Sequence, residues 1–238
     1  MGRIGNIEGR KTKQDAKRAG MFTKLSRALS VAVKQGGPDP QYNAALVSAI
    51  EKAKAANMPN DNIERAIKKA AGAGDSEHYT EMIYEGYGPS GVAVMVECLS
   101  DNANRTAGDV RSYFTKNRGN LGVTGSVNYL FDHLGVLVIE RTDDIDEEDI
   151  MMQAIDAGAD DFLAEDDHFE IYTEVGTFSQ VRDALKANGH SFVIAELRYL
   201  PKTTVSLNDE DDIKAMQRLI DQLEDHDDVQ VVHHNWAE

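Results

Sequence analysis

Residues 135–140 read GVLVIE, a run of strand-forming side chains, and they open the segment that decides the fold. Between residues 135 and 200 the hydrophobic pattern alternates between the two-residue period of strands and the longer period of helices. It predicts strands at 135–140, 161–165, 169–174 and 192–200, with helices at 146–157 and 178–188. The order β-α-β-β-α-β is that of the ferredoxin-like split βαβ arrangement, so we expect an α/β sandwich over residues 133–201.

The sequence on either side of this segment predicts a second sandwich that the first one interrupts. Upstream, the pattern indicates strands at 79–87, 91–99 and 126–131 and a helix at 102–117. Downstream of Pro201 it indicates a helix at 209–223 and a strand at 229–233. We therefore expect residues 76–132 and 202–238 to form one discontinuous α/β domain.

Three helices are predicted ahead of these sandwiches, within residues 1–75. The first runs from 13 to 34 and is stopped by two glycines and a proline at 36–38. The second follows Asp39 and carries Tyr42 on its inner face, and the third starts at Pro59. The predicted fold class is α+β, with three domains: an N-terminal three-helix domain and two ferredoxin-like α/β sandwich domains.

Charge is distributed very unevenly along the chain. The 238 residues carry a formal net charge of −16, which taken alone argues against binding to nucleic acid. Residues 1–72 nevertheless hold 14 Lys and Arg against six Asp and Glu, whereas residues 73–238 hold 11 against 35. A basic module joined to an acidic body is typical of a protein that binds nucleic acid at one end.

Cations in and around the first predicted helix form the main candidate site. Phe22, Leu25 and Leu29 recur on one apolar face, and most of the cations lie on the opposite side. Cations on one helix face can displace counterions from a phosphate backbone. The alternatives are a solvated helix face and a face that docks on the acidic domains of the same chain. The candidate nucleic-acid-binding residues are Arg10, Lys11, Lys13, Lys17, Arg18, Lys24 and Arg27.

A second cationic group, Arg105, Arg111 and Arg118, lies along the helix predicted at 102–117 and its exit. The free backbone N–H groups at the start of that helix could hold an anion, while simple capping by Asn102 is the alternative. The sequence shows no base-reading side chains at the spacing of a known recognition helix. Backbone or shape recognition of DNA or of folded RNA is therefore favoured.

The remaining reactive residue types predict no catalytic centre and no metal site. Cys98 is the only cysteine and lies in an apolar strand, which excludes an internal disulfide and favours core packing. The seven histidines lack metal-site spacing. Because no apolar run reaches the roughly 18–20 residues of a membrane span and no secretory pattern is present, we expect a cytoplasmic protein. We predict no enzymatic activity, cofactor, membrane partner or small-molecule substrate.

Five motifs in chain order closely resemble the YebC/PmpR family. The longest is AANMPNDNIERAI at residues 55–67, which resembles the signature stretch of that family. The others are YEGYGP at 84–89, NRT at 104–106, GNLG at 119–122 and DDVQ at 227–230. One departure is that most members begin with a Ser-Lys-Trp stretch, whereas residues 2–11 of this chain contain no Trp.

The resemblance implies a three-domain protein with no enzymatic activity and no cofactor. Most members of the family are described as transcriptional regulators that bind DNA, which is the favoured hypothesis. Some members, and the mitochondrial relative, act in translation. The alternative is therefore a ribosome-associated translation factor that contacts ribosomal RNA and relieves stalling, for example at proline-rich stretches. The third hypothesis is an acidic protein-interaction module that binds no nucleic acid.

Overall fold

The computed structural model describes residues 18–72 and 78–237. The helices are α1 (Arg18–Gly36), α2 (Ala44–Ala55), α3 (Asn60–Ala71), α4 (Ala103–Lys116), α5 (Glu147–Ala157), α6 (Phe178–Ala187) and α7 (Glu210–Asp225). The strands are β1 (Thr80–Tyr87), β2 (Ala93–Ser100), β3 (Asn120–Leu121), β4 (Phe131–Glu140), β5 (Asp161–Ala164), β6 (His168–Thr173), β7 (Ile194–Pro201), β8 (Val205–Ser206), β9 (Val229–His234) and β10 (Trp236–Ala237). This mixture of helices and sheets confirms the predicted α+β class.

Residues 18–72, which we call the helical segment, fold around α1. Leu29 and Val33 of α1 pack with Leu46 of α2 and Ile63 of α3 in one buried cluster. Several other members of the cluster are alanines, so the helices can approach closely while burying little apolar area. The segment therefore has a core of its own, but a small one.

The start of α2 differs from the prediction. Asp39 caps a short 3-10 turn that ends at Tyr42, and α2 begins only at Ala44. Asn43 caps α2 instead, because its side-chain oxygen accepts the Leu46 N–H at 3.0 Å. The inward placement of Tyr42 is therefore wrong: the side chain precedes the helix and is 84% exposed.

Residues 78–128 and 204–237 form the discontinuous sandwich. Its main sheet has the strand order β3-β1-β2-β9, and all neighbouring strands are antiparallel. Val94 and Val96 of β2 pack against Phe114 of α4 and Leu219 of α7, so both helices cover the same face of the sheet. Helices from distant parts of the chain thus close one two-layer sandwich.

The loop after α4 departs from the strand predicted at 126–131. The buried carboxylate of Glu85 accepts the backbone N–H groups of Gly125, Val127 and Asn128 at 2.7–2.9 Å. These three N–H groups are occupied by a side chain, so they cannot enter a sheet ladder. The strand prediction is wrong up to residue 130, and β4 begins at Phe131.

Residues 129–203 belong to one of the two compact units of the chain. The sheet of this unit has the order β5-β6-β4-β7 with antiparallel neighbours. Ile150 of α5 and Val181 of α6 pack in one cluster with Leu137 and Ile171 of the sheet, so both helices cover one face. The chain order and the strand order together are the predicted ferredoxin-like arrangement.

The second compact unit contains the helical segment and the discontinuous sandwich. The apolar cores of these two parts are separate clusters within that unit. The division of the whole chain into three domains, with boundaries near residues 75, 132 and 201, stays a prediction.

Candidate nucleic-acid interface

The predicted site on the first helix is described only in part. Arg10, Lys11, Lys13 and Lys17 lie outside the described residues, and Arg18 is described only as the first residue of α1. Their assignment to nucleic acid stays a prediction. Lys24 and Arg27 are therefore the two candidate cations of this helix whose surroundings the structure shows.

Both of these side chains reach the discontinuous sandwich rather than a free surface. The Lys24 ammonium donates to the carbonyl of Glu224, in the last turn of α7. The Arg27 guanidinium forms an ion pair with Asp228 and donates to the Asp227 carbonyl at 2.7 Å. A cation is favoured at this place because a helix C-terminus presents unpaired carbonyls and a partial negative charge.

Asp228 is at the centre of the polar contacts between α1 and the discontinuous sandwich. Its carboxylate accepts hydrogen bonds from Arg105 Nη2 at 2.9 Å, Thr106 Oγ1 at 2.7 Å and Ser100 Oγ at 3.0 Å, besides the ion pair with Arg27. The side chain of Asp228 is only 2% exposed, and that of Arg27 is 16% exposed. A buried carboxylate is tolerated only when charges and donors surround it, so these residues form one structural unit.

The titration of Asp228 follows from these contacts. Burial alone would raise the pKa of this carboxyl group. The hydrogen bonds from Arg105, Thr106, Arg27 and Ser100 outweigh burial and hold the pKa well below its ordinary value. Asp228 therefore stays charged through the whole neutral and mildly acidic range, and it keeps its attraction for Arg27.

The three members of the second predicted cationic group have different surroundings in the structure. Arg105 contacts both Asp228 and Asp101, the latter at 2.8 Å. Arg118 contacts Asp212 at 2.9 Å and Asp211 at 3.3 Å, in the acidic first turn of α7. Arg111 lies exposed on α4. Two of the three cations are thus engaged with carboxylates of the same chain, and their role in nucleic-acid binding stays a prediction.

An exposed set of cations lies elsewhere, on α3. Arg65, Lys68 and Lys69 are all exposed and follow the i, i+3, i+4 spacing that places side chains side by side on a helix. The opposite face of α3 packs Ile63 and Ala70 into the core of the helical segment. We call Arg65, Lys68 and Lys69 the α3 cation row.

The α3 cation row is absent from the sequence prediction because cations are denser elsewhere in the helical segment and the residues before it. The stretch from 10 to 27 holds more cations than α3 does, and the predicted nucleic-acid-binding residues of the helical part were therefore placed there. A helical wheel of residues 60–71 places the row opposite to the apolar positions, so the signal was present. By contrast, no local pattern marks Asp228 as the partner of Arg27.

Within residues 18–72 and 78–237, no group of three or more His, Cys, Asp and Glu side chains is placed to hold a metal ion. Burial raises the pKa of the Cys98 thiol to about 12, and nearby Asp228 adds to that shift. A thiol with such a pKa is almost entirely protonated at neutral pH, which makes it a poor nucleophile. In the same described ranges, no helix has the length and apolar character needed to cross a membrane.

Two family models match the chain along nearly its whole length. Residues 2–73 match the TACO1/YebC protein N-terminal domain, and residues 79–236 match the TACO1/YebC second and third domain. Together the two matches include the helical segment, both sandwiches and the α3 cation row.

Individual proteins agree with these matches. A protein of Clostridioides difficile strain 630 named "Probable transcriptional regulatory protein" is 57% identical over 236 residues, which is 99% of each chain. One of the same name from Finegoldia magna is 56% identical over 230 residues, covering 97% of this chain and 95% of the relative. The crystal structure of a conserved hypothetical protein from Aquifex aeolicus superimposes with a TM-score of 0.82 at 43% identity, covering 95% of this chain and 93% of that one.

Proposed function

This chain belongs to the TACO1/YebC family, and from that premise we propose that it is a regulatory protein that binds DNA through its cationic helical segment. The observation that carries the proposal is the separation of charge. The first 72 residues have an excess of eight cations. Within the helical segment, residues 18–72, the α3 cation row is exposed. The remaining residues have an excess of 24 carboxylates, which repel phosphate.

The α3 cation row supports this proposal better than Lys24 and Arg27 do. Arg27 neutralises a buried carboxylate, and taking it away would leave Asp228 with less compensation. The row on α3 lies on the side of its helix that faces away from the core, so phosphate can approach it without unfolding anything. We therefore propose α3 as the main contact among the described residues, and we keep the cations predicted at residues 10–18 as further contacts.

Contacts of this kind read the phosphate backbone rather than the bases. Lysine and arginine side chains that neutralise phosphates release counterions, and the affinity then falls as salt rises. Three phosphate contacts correspond to a slope of about −2.7 in a plot of log affinity against log salt. We choose DNA because the relatives from C. difficile and F. magna are named probable transcriptional regulatory proteins.

The proposal is tested by titrating the full chain into a fluorescent DNA duplex of about 30 base pairs, from about 50 to 200 mM salt. A variant R65Q/K68Q/K69Q removes the α3 cation row. We expect its salt slope to be less steep than that of the natural chain by about 2.7, because three phosphate contacts are lost. Its melting temperature should stay unchanged, since all three side chains are exposed.

The matched control is K186Q/K202Q/K214Q, which removes the same charge from the acidic part of the chain. It should leave the slope unchanged, because all three lysines belong to the part of the chain with an excess of carboxylates, where Lys202 pairs with Asp132 and Lys214 with Glu210. Equal slopes for the α3 variant and the natural chain would contradict the proposed surface. A parallel titration with a structured RNA hairpin separates the targets: tighter binding to RNA than to DNA would replace transcription by the translation hypothesis.

We propose binding, rather than catalysis, as the whole activity of this site. The α3 cation row offers positive charge and donors but no base or nucleophile, and this combination suits a polyanion. A cytoplasmic location belongs to the same proposal, because a regulator must share a compartment with its nucleic acid.

A further inference from the structure

Helix α5, in the compact unit of residues 129–203, is apolar on two sides. Its inner side packs Ile150 and Ala154 into the core with no exposure. Its outer side carries Met151, Met152 and Ile155, which are 39%, 58% and 56% exposed. A helix at the surface of a folded unit normally has a polar outer face, whereas this second apolar side of α5 stays largely exposed among the residues that the structure describes.

The three apolar residues lie close together. Met151 and Ile155 are one helical turn apart, at i and i+4, and Met152 and Ile155 are at i and i+3. At about 100° per residue they span roughly 100° of the helix surface, centred about 130° away from the buried Ile150 and Ala154. We call Met151, Met152 and Ile155 the α5 ridge. Methionine is unbranched and flexible, which suits a surface that must fit a partner.

The surroundings of the α5 ridge are acidic. The helix contains Glu147, Glu148, Asp149 and Asp156, and it contains no Lys or Arg. Glu148 lies within the arc of the ridge, and Asp156 lies along one side of it. The whole unit of residues 129–203 holds five Lys and Arg against 18 Asp and Glu. Any occupant of the ridge must therefore approach through a strongly negative field.

The negative charge around the α5 ridge limits which kind of molecule can bind there. Nucleic acid and anionic lipid are both repelled by the acidic unit. A second copy of α5 would bring four carboxylates against four, and like charges facing each other are unfavourable. What remains is a protein segment with apolar side chains on one face and Lys or Arg beside them, which matches the ridge and its acidic border.

We infer that the α5 ridge is a docking surface for a cationic amphipathic helix of a partner protein. The apolar face of that helix covers Met151, Met152 and Ile155, and its cations pair with Glu148 and Asp156. The surface lies outside the proposed nucleic-acid interface and does not depend on it. The molecule would then hold a polyanion through one part and a cationic protein through another.

The test uses the full chain and a fluorescent 18-residue peptide of Leu and Lys whose leucines recur at i, i+3, i+4 and i+7. Its comparison is a peptide of identical composition with the leucines spread around the helix. We expect the ordered peptide to bind at least about tenfold tighter, because only it covers the ridge with one apolar face. Equal binding of the two peptides would overturn the inference, since charge alone would then explain it.

Variants locate the contact. M152Q/I155Q should abolish the preference for the ordered peptide and keep the melting temperature, because glutamine is a good helix former and both positions are exposed. E148Q/D156N should weaken binding of the ordered peptide several-fold at low salt, whereas D166N/D221N, the same charge change outside α5, should not. A preference that survives M152Q/I155Q, or equal weakening by both charge variants, would overturn the inference.

Sedimentation of the chain without peptide tests the alternative that the α5 ridge binds a second copy of this chain. The inference expects the natural chain and M152Q/I155Q to have the same mass in solution. If the natural chain dimerises and M152Q/I155Q does not, the ridge binds a second copy, and the partner inferred above is wrong.

Discussion

Two groups of cations in the helical segment have opposite surroundings. Lys24 and Arg27 of α1 contact the C-terminus of α7 and the buried Asp228, whereas Arg65, Lys68 and Lys69 of α3 are exposed. The residue types are the same, and the two helices belong to one small core. The difference teaches that a cation takes its role from its burial: pairing with a buried carboxylate makes Arg27 structural, whereas an exposed position leaves a cation accessible to a polyanion.

The largest expected effect is on the structural side of this comparison. D228N removes the charge that Arg27 and Arg105 share, and it leaves the largely buried Arg27 without a counter-charge. We expect the free energy of unfolding to fall by about 3 to 5 kcal/mol, measured by urea denaturation. D227N is the matched control, because Asp227 is exposed and contributes to Arg27 only through its backbone carbonyl. If D228N lowered the free energy of unfolding as little as D227N does, the contacts of Asp228 with Arg27 and Arg105 would be unimportant for stability.

The comparison of the natural chain with D228N also predicts how stability depends on pH. The folded pKa of Asp228 is lowered, so the stability contributed by its charge is fully present above the unfolded pKa of about 3.9. That contribution is lost as the pH falls from there towards the folded pKa. The difference in unfolding free energy between the natural chain and D228N should therefore stay constant from about pH 7 to 5 and narrow below about pH 4. A difference that already narrows near pH 6 would assign the effect to another group.

A third prediction applies the DNA titration to the inward cation. R27Q should leave the salt slope of DNA binding unchanged, because the Arg27 guanidinium is directed at Asp228 and not at solvent. This result would contrast with the decrease of about 2.7 expected for R65Q/K68Q/K69Q. A change of slope of about 0.9 in R27Q would mean that Arg27 leaves Asp228 to contact a phosphate, and the distinction between the two groups would fail.

The smallest expected effect on stability concerns Arg118. Its ion pairs with Asp211 and Asp212 lie at the surface, where water and salt screen them. R118Q should lower the melting temperature by no more than about 2 °C in a thermal scan. A decrease close to that of D228N would contradict the view that burial, rather than the number of carboxylates, makes a cation structural.

The fold was largely predictable from local patterns. The ferredoxin-like arrangement of residues 129–203 follows from strand and helix periods that local side chains determine. The two errors have a common cause. At Tyr42, Asn43 rather than Asp39 caps the helix, and at 126–130 the side chain of Glu85 occupies the backbone N–H groups. In each place the hydrogen bonds of a single side chain overrode the pattern, and such bonds leave no periodic signal.

The candidate site was predictable only in its overall charge. The sequence indicated that the first 72 residues are basic, and this holds whatever their fold. It did not separate the engaged cations from the exposed ones, because Arg27 and Asp228 are 201 positions apart in the chain. The outward row on α3 and the α5 ridge were both readable from a helical wheel, but their exposure depends on which faces the neighbouring elements cover.

By itself, the sequence determined the α+β class, the order of most helices and strands and the polarity of charge between the two ends. These properties follow from short-range periodicity and from composition, which do not change when distant parts of the chain meet. Only the tertiary structure decided that Asp228 is buried beside Arg27 and Arg105, and that Arg65, Lys68 and Lys69 remain at the surface. The physical reason is that burial and pairing are properties of contacts between residues far apart in the chain, and no local pattern encodes those contacts.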